Sequence, residues 1–319
     1  MSGKNLKVLI TGASGLLGRQ IVKYLEDTNL QSKYPVDGVQ NYVFECLGLC
    51  HSRTKNKLRA VDIKNFDQVD QVIQEFKPNV IIHSAAVKNV ESVENDFEAA
   101  LRLNKDATEN LAKIADRLGI LFIYISTDYV FDGKNAPYKP NDKPNPLNKY
   151  GISKLSGEVV TTEVSKNHCI VRVPVLYGFT EPQNYGESAI NVLIGNVRKQ
   201  APIKVDHQQT RYPTHCLDVS RFLTRLIIKY FEENGSEPNQ VKGIFHCSGL
   251  ESFTKYEICG IMAEFYNIPN EFIQPDLTTD FSLRPKNAQL DITDSYNLLN
   301  FKPVMIFKPS LKECLENFV

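Results

Sequence analysis

No charge of either sign prevails in the 319 residues: Lys plus Arg and Asp plus Glu both number 37. A chain without a basic excess or stripe lacks the electrostatic footprint of nucleic-acid binding, so neither RNA nor DNA is an expected partner. No run approaches the roughly 20 apolar residues that cross a bilayer. The opening MSGKNLKVLITG enters a strand without the apolar core of a signal peptide. No membrane partner is expected, and a cytoplasmic location is. Metal-ligand spacing is also missing. Cys46, Cys50, Cys169, Cys216, Cys247, Cys259 and Cys314 are scattered, odd in number and free of any CxxC or Cys/His cluster. Buried, reduced thiols are expected, and no metal site. Internal repeats and low-complexity tracts are absent too.

What is present is an alternation. Leu6–Thr11, Val43–Cys50, Val80–His83, Leu121–Ser126 and Ile170–Val173 read as strands. Between them, Leu16–Glu26, Phe66–Phe76, a long Glu94–Leu118 and Tyr150–Val164 read as helices. Strands that alternate with helices predict a parallel sheet covered on both faces. Asp27–Asn41 is polar, carries Pro35 and Gly38, and reads as a surface excursion. Later, Ser188–Val197, Val219–Phe231, Lys255–Phe265 and Ser310–Phe318 look helical, the last with Ser310 as N-cap. Gly243–Cys247 looks like one more strand, and Glu233–Gln240 like a surface loop. The expected fold is α/β, a Rossmann-like doubly wound parallel sheet with a smaller, non-contiguous C-terminal domain of substrate-binding type. The larger domain is expected to take residues 1–175 and about 215–247, the smaller about 176–214 and 248–319.

The stretch VLITGASGLLGRQ follows the first strand and sets Gly12, Gly15 and Gly18 three apart. Gly12 permits a tight turn, Gly15 lets backbone approach a pyrophosphate, and Gly18 lets the helix lie close on the sheet. The helix start then offers free N–H groups and the positive dipole end to phosphates. A turn of this kind also joins strand to helix without any ligand. Its place after the first strand favours a dinucleotide.

The spacing GxxGxxG, rather than GxGxxG, resembles the extended short-chain dehydrogenases/reductases. The resemblance spreads through DIKNFDQV from Asp62, VIIHSAA (Val80–Ala86), YISTDYVFDG (Tyr124–Gly133) and PLNKYGISKLSGE (Pro146–Glu158). The last holds YxxxK, Tyr150 and Lys154, which share one helix face. A phenol titrates near about 10 and is a weak acid–base group at neutral pH. A nearby ammonium stabilises the phenolate and is expected to lower that value. The resemblance implies a catalytic set of Thr127, Tyr150 and Lys154, with Ser126 adjacent, in which the lysine also holds the nicotinamide ribose. NAD sites usually end the second strand on Asp or Glu. Here that strand ends GLCHSRTKNK, with no acid and with Ser52 and Arg53. A guanidinium suits a 2′-phosphate, so NADP is the expected cofactor.

The second half carries RVPVLYG, DHQQTRYPTHCLDV, GIFHCSGLESFTKYE and RPKNAQLD in order. These blocks resemble the dTDP-4-dehydrorhamnose reductase family and, in the spelling of QQTRYPTH, FHCSG and RPKNAQLD, the regulatory β subunits of methionine adenosyltransferase. That resemblance places cofactor contacts at Ser14, Gly15, Leu16, Leu17, His51, Ser52, Arg53, Asp62, Ile63, Ser84, Lys88, Tyr150 and Leu176. It implies an NADP-binding regulator whose partner is a methionine adenosyltransferase catalytic subunit. The intact Thr127/Tyr150/Lys154 set leaves a second reading open, an NADPH-dependent reductase of a sugar nucleotide in which Tyr150 donates the proton. Arg284, Gln208, Gln209 and Arg211 stand either as ligand contacts or as packing and hydrogen-bonding groups of the small domain.

Overall fold

The patterns resolve into alternating strands and helices in a computed structural model that describes residues 3–52, 58–233, 241–278 and 280–316. The strands in chain order are β1 (Lys4–Thr11), β2 (Tyr42–Cys50), β3 (Arg59–Ala60), β4 (Val80–His83), β5 (Leu121–Thr127) and β6 (His168–Val173). They continue as β7 (Leu176–Tyr177), β8 (Ile203–Asp206), β9 (Thr214–His215), β10 (Gly243–His246) and β11 (Ile273–Asp276). The helices are α1 (Leu16–Glu26), α2 (Thr28–Lys33), α3 (Phe66–Phe76), α4 (Val90–Asn95), α5 (Phe97–Leu101) and α6 (Ala107–Leu118). After them come α7 (Lys149–Val164), α8 (Ile194–Lys199), α9 (Cys216–Glu232), α10 (Lys255–Phe265), α11 (Thr293–Leu299) and α12 (Phe307–Leu315).

Seven strands form one sheet in the order β10-β6-β5-β4-β1-β2-β3, and every pairing in it is parallel. This is the doubly wound Rossmann-like α/β fold that the alternation predicts. From β1 the chain moves outward one way through β2 and β3, then returns and runs the other way from β4. Such a reversal opens a crevice at the carboxyl ends of the strands. Buried strands need apolar side chains on both faces. Val8 and Ile10 of β1 pack with Ile21 and Leu25 of α1 and Phe222 and Leu226 of α9. Leu9 and Ile81 face the other way, toward Val69 and Ile73 of α3 and Leu111 and Ala115 of α6. Two further parallel pairs, β11 with β8 and β7 with β9, lie outside the main sheet. A separate apolar cluster there joins Ile194 and Val197 of α8, Ile258 and Met262 of α10, and Phe307 and Leu311 of α12.

Helices α1, α3 and α10 and strand β4 have the bounds that periodicity predicts. Four expectations are corrected. The single helix over 94–118 is broken twice. Asp96 leaves helical geometry and its carboxylate caps Ala99 N–H at 2.9 Å, and a wide π turn, Arg102–Asp106, separates α5 from α6. Asp competes with the backbone for its hydrogen bonds and so starts a new helix. The run 188–197 is a 3-10 turn, Asn191–Leu193, followed by α8. The excursion 27–41 holds α2, capped by Asp27, and Gln31 docks its amide on the carbonyls of Tyr24 and Leu25 at 2.9 Å each. Ser310 is not an N-cap. It lies buried within α12, whose first N–H, that of Phe307, donates to the Glu251 carboxylate at 2.6 Å. Pro309 fits that first turn because its missing N–H has no intrahelical role there. Most of the expected 233–240 loop lies outside the described residues.

Candidate functional site

At the carboxyl edge of the sheet lies one cavity of about 860 Å3, running from the glycine turn to α7 and on to β8-side residues of the second lobe. Gly12 sits at φ +67, and a Cβ there would meet Ala85 N at 2.8 Å. A Cβ on Gly18 would meet the Gly12 carbonyl at 2.3 Å, so α1 can lie this close only as glycine. The turn is fixed from behind. Ala13 N–H donates to Leu49 O at 2.9 Å, and Gly15 N–H to Gly12 O at 2.9 Å. Gly15 is the N-cap of α1 and supplies no side-chain cap. The first N–H groups of the helix, at Leu16, Leu17 and Gly18, are therefore unclaimed by a side-chain cap in residues that line the cavity, as an anion site requires.

The floor is tied by a small polar network. The Thr11 hydroxyl lies 2.7 Å from His83 Nδ1, and His83 Nε2 lies 3.0 Å from the Thr108 hydroxyl. Burial pushes the His83 imidazole down to about 3, so it is neutral. Ser84 donates its hydroxyl to Thr11 O at 2.7 Å, joining the ends of β1 and β4.

Thr127, Tyr150 and Lys154 meet on the cavity wall. Thr127 ends β5, and the other two lie one turn apart at the start of α7, which Asn148 caps by accepting Gly151 N–H at 2.7 Å. The expected lowering of the Tyr150 phenol is corrected: desolvation raises it, and the neighbouring Thr127 hydroxyl opposes this only in part. Lys154 bears the reciprocal cost. Burial lowers it to about 7 against the raising effect of Glu158. Its ammonium stands 4.0 Å from the Tyr124 ring centroid, where the ring face favours a cation. One turn on, Glu158 holds Arg172 through two bonds, Nε at 2.9 Å and Nη2 at 2.7 Å, and accepts from the Ser126 hydroxyl at 2.5 Å. This buried pair fastens α7 to the ends of β5 and β6 behind the site.

Of the other cofactor residues expected from sequence, Ser14, Leu16, Leu17, His51, Asp62, Ile63, Ser84, Lys88 and Leu176 all line the same cavity. Ser52 is exposed and is not among the wall residues. Arg53 lies outside the described residues.

Several residues on or behind the wall carry no short-range sequence signal. Asn104 is fully buried in the π turn. It accepts Val87 N–H at 2.9 Å and donates to Val87 O at 3.0 Å and the Ser153 hydroxyl at 2.9 Å. Asp128 accepts the Thr127 hydroxyl at 3.1 Å, and desolvation raises its carboxyl to about 7. Across from them stand Arg211, Lys255 and Arg284. Burial lowers Lys255 to about 8, with Arg211 and Arg284 adding to the shift and Asp206 opposing it. Arg211 Nη2 donates to the Gln209 side chain, while its buried Nε has no hydrogen-bond partner among the described residues. Lys255 opens α10, the helix end least hospitable to positive charge. That misplacement was the one signal in sequence that could have marked it.

Comparison with known proteins follows this geometry. The family model described as RmlD substrate binding domain matches residues 6–319. Methionine adenosyltransferase 2 subunit beta of Bos taurus is 38% identical over 318 residues, covering 99% of this chain and 89% of that protein. The dTDP-4-dehydrorhamnose reductase of Aggregatibacter actinomycetemcomitans is 30% identical over 308 residues, 93% of this chain and 94% of the enzyme. Among solved structures, the dTDP-4-dehydrorhamnose reductase of Bacillus anthracis in complex with NADP superimposes with a TM-score of 0.74 at 28% identity, covering 100% of this chain and 99% of that one.

Proposed function

The chain belongs to the RmlD substrate-binding family of extended short-chain dehydrogenases/reductases, and from that premise we propose that it is an NADP-binding regulatory subunit of methionine adenosyltransferase. In this reading it binds the catalytic subunit and modulates S-adenosylmethionine synthesis. The observation that carries the reading is the likeness to β subunits along nearly the whole chain, second-half blocks included. The residues fit a dinucleotide: a glycine turn with no room for a Cβ at Gly12 or Gly18, uncapped helix N–H groups behind it, and Lys88 on the wall. Leu16, Leu17 and Gly18 would hold the pyrophosphate by backbone, and Asp62 and Ile63 the adenine end. A regulator shifts its partner only by binding two of its states with different affinity.

One observation favours a second reading, reduction of a nucleotide-linked keto sugar. Arg211, Lys255 and Arg284 converge on the cavity wall opposite the glycine turn, where a diphosphate would balance them. A reduced nicotinamide supplies hydride when bound. This chain's part is then to hold the substrate oxygen near Thr127, deliver a proton from the Tyr150 phenol, and steady that phenol with Lys154.

Co-expression with a methionine adenosyltransferase catalytic subunit, followed by size-exclusion chromatography and kinetics with NADP present, tests the first reading. The expected result is co-elution with an altered substrate affinity or product inhibition. Separate elution with unchanged kinetics removes it. The same preparation is assayed for NADPH oxidation with a dTDP-4-dehydro-6-deoxy sugar. Turnover that Tyr150→Phe lowers by about 10²–10⁴-fold establishes the reductase instead. Titration calorimetry compares the cofactors, and tighter binding of NADP than NAD is expected.

A further inference from the structure

We propose that Glu187 is a bar across the glycine-turn end of the cavity, and that a ligand enters or leaves there only when its ion pair with Arg19 breaks. The proposal rests on the reading that this cavity takes a dinucleotide. Glu187 closes a short 3-10 stretch, Pro182–Glu187, between β7 and α8. Its carboxylate accepts from Arg19 Nη2 at 2.7 Å, while Arg19 Nη1 donates to the Ser14 carbonyl, inside the glycine turn, at 2.6 Å. Its backbone carbonyl accepts from Lys88 Nζ at 2.5 Å. Arg19 stands on α1, on one wall, and Lys88 follows β4, on the other. One residue thereby ties the two walls together, and Gly186 and Glu187 themselves line the cavity.

Glu187 and its neighbour Ser188 are held differently. Next to Glu187, Ser188 is buried. Its hydroxyl donates to Leu176 O at 3.2 Å and accepts the N–H groups of Ile190 at 3.2 Å and Asn191 at 3.1 Å. That side is a fixed hinge. On the cavity side Glu187 takes part in the Arg19 pair and the Lys88 bond. The side chains of Arg19 and Glu187 are 32% and 13% exposed, so water reaches the pair.

Charge gives the bar its sense. A lone carboxylate at the uncapped start of α1 would repel a phosphate. Paired with Arg19 it is neutralised. When the pair opens and the segment carries the carboxylate away, Arg19 faces the incoming anion and steers it in. When it closes, the ligand lies beneath the segment.

The test is the binding kinetics of NADP to the full chain, by stopped flow, for the parent, Glu187→Gln, Arg19→Gln and the double variant. Glu187→Gln keeps the backbone bond to Lys88 and removes the ion pair with Arg19. The expected result is a dissociation rate raised roughly two- to fivefold, the scale of a partly exposed ion pair, in both single variants. The double variant should dissociate no faster than Arg19→Gln, which removes the ion pair together with the bond to the Ser14 carbonyl. A dissociation rate unchanged in Glu187→Gln, or additive single effects, overturns the bar while leaving the dinucleotide reading intact. Parent and Glu187→Gln both failing to bind NADP by calorimetry overturns that reading, and the bar with it.

Discussion

Asp128 and Lys154 line the same cavity and shift in opposite directions for one reason, since loss of water disfavours the charged form of each. Asp128 rises from 3.8 to about 7. Between those values the folded chain holds the extra proton, so this group's contribution to stability falls as pH rises from about 4 to about 7. Lys154 drops from 10.5 to about 7, and its contribution grows as pH rises from about 7 to 10.5. The combined contribution of these two groups is least near neutrality. Asp128→Asn should therefore raise the melting temperature more at pH 8 than at pH 4, with a ceiling of roughly 4 kcal/mol from about three pKa units. Equal shifts at both pH values, read by thermal melts, would refute the buried-carboxyl account. The residues legible in sequence were those whose spacing is local, such as Gly12, Gly15 and Gly18, or Tyr150 and Lys154. Glu187 was illegible because its partners Arg19 and Lys88 lie 168 and 99 residues away. Asn104 was illegible because nothing in a helical pattern marks a π turn that rolls a polar side chain into the core.

Helix α7 shows how a small residue sets the place of an element. A Cβ on Gly157 would lie 2.2 Å from the Tyr124 hydroxyl and 2.6 Å from Asn104 O. The helix can approach β5 and the π turn only because that atom is missing. Gly260, inside α10, has nothing among the described residues within 4 Å of its Cβ position. Gly260→Ala should stabilise by about 0.5–1 kcal/mol, the helix-propensity gain. Gly157→Ala should instead destabilise by about 1–3 kcal/mol through overpacking, despite the same propensity gain. Urea unfolding of both proteins reads the contrast, and two changes of the same sign would contradict it. Elements with strong periodicity and clean ends were readable to the residue, as α1 and α3 were. The run 94–118 was not, because Asp96 interrupts a pattern whose apolar spacing continues across the break. The start of α12 escaped for a different reason: its cap, Glu251, comes from 56 residues earlier.

Across the whole molecule, helix α9 clamps two distant segments. Arg221 donates to the carbonyls of Tyr34 at 3.3 Å, Pro35 at 3.1 Å and Lys302 at 3.1 Å, and to the Asp218 carboxylate at 2.9 Å. Arg225 reaches Leu299 O at 3.0 Å and Asp37 O at 3.3 Å. Arg221→Met would leave the buried Asp218 without its cation, at a cost of about 3–5 kcal/mol. It should also speed proteolytic cleavage within 27–41, and a variant that melts and is cleaved like the parent would show the clamp to be idle. Asp218 also accepts the N–H groups of Val304 at 3.0 Å and Met305 at 3.0 Å. Those residues are made 86 and 87 positions after it. At about 5–20 residues per second, the ribosome needs roughly 4–17 s to supply them. A chain ended between His246 and Val304 has every strand of the large sheet, yet its Asp218 lacks these two N–H groups. A copy that ends before Val304 is therefore expected to melt below the full chain, the penalty of a buried acceptor left unfilled.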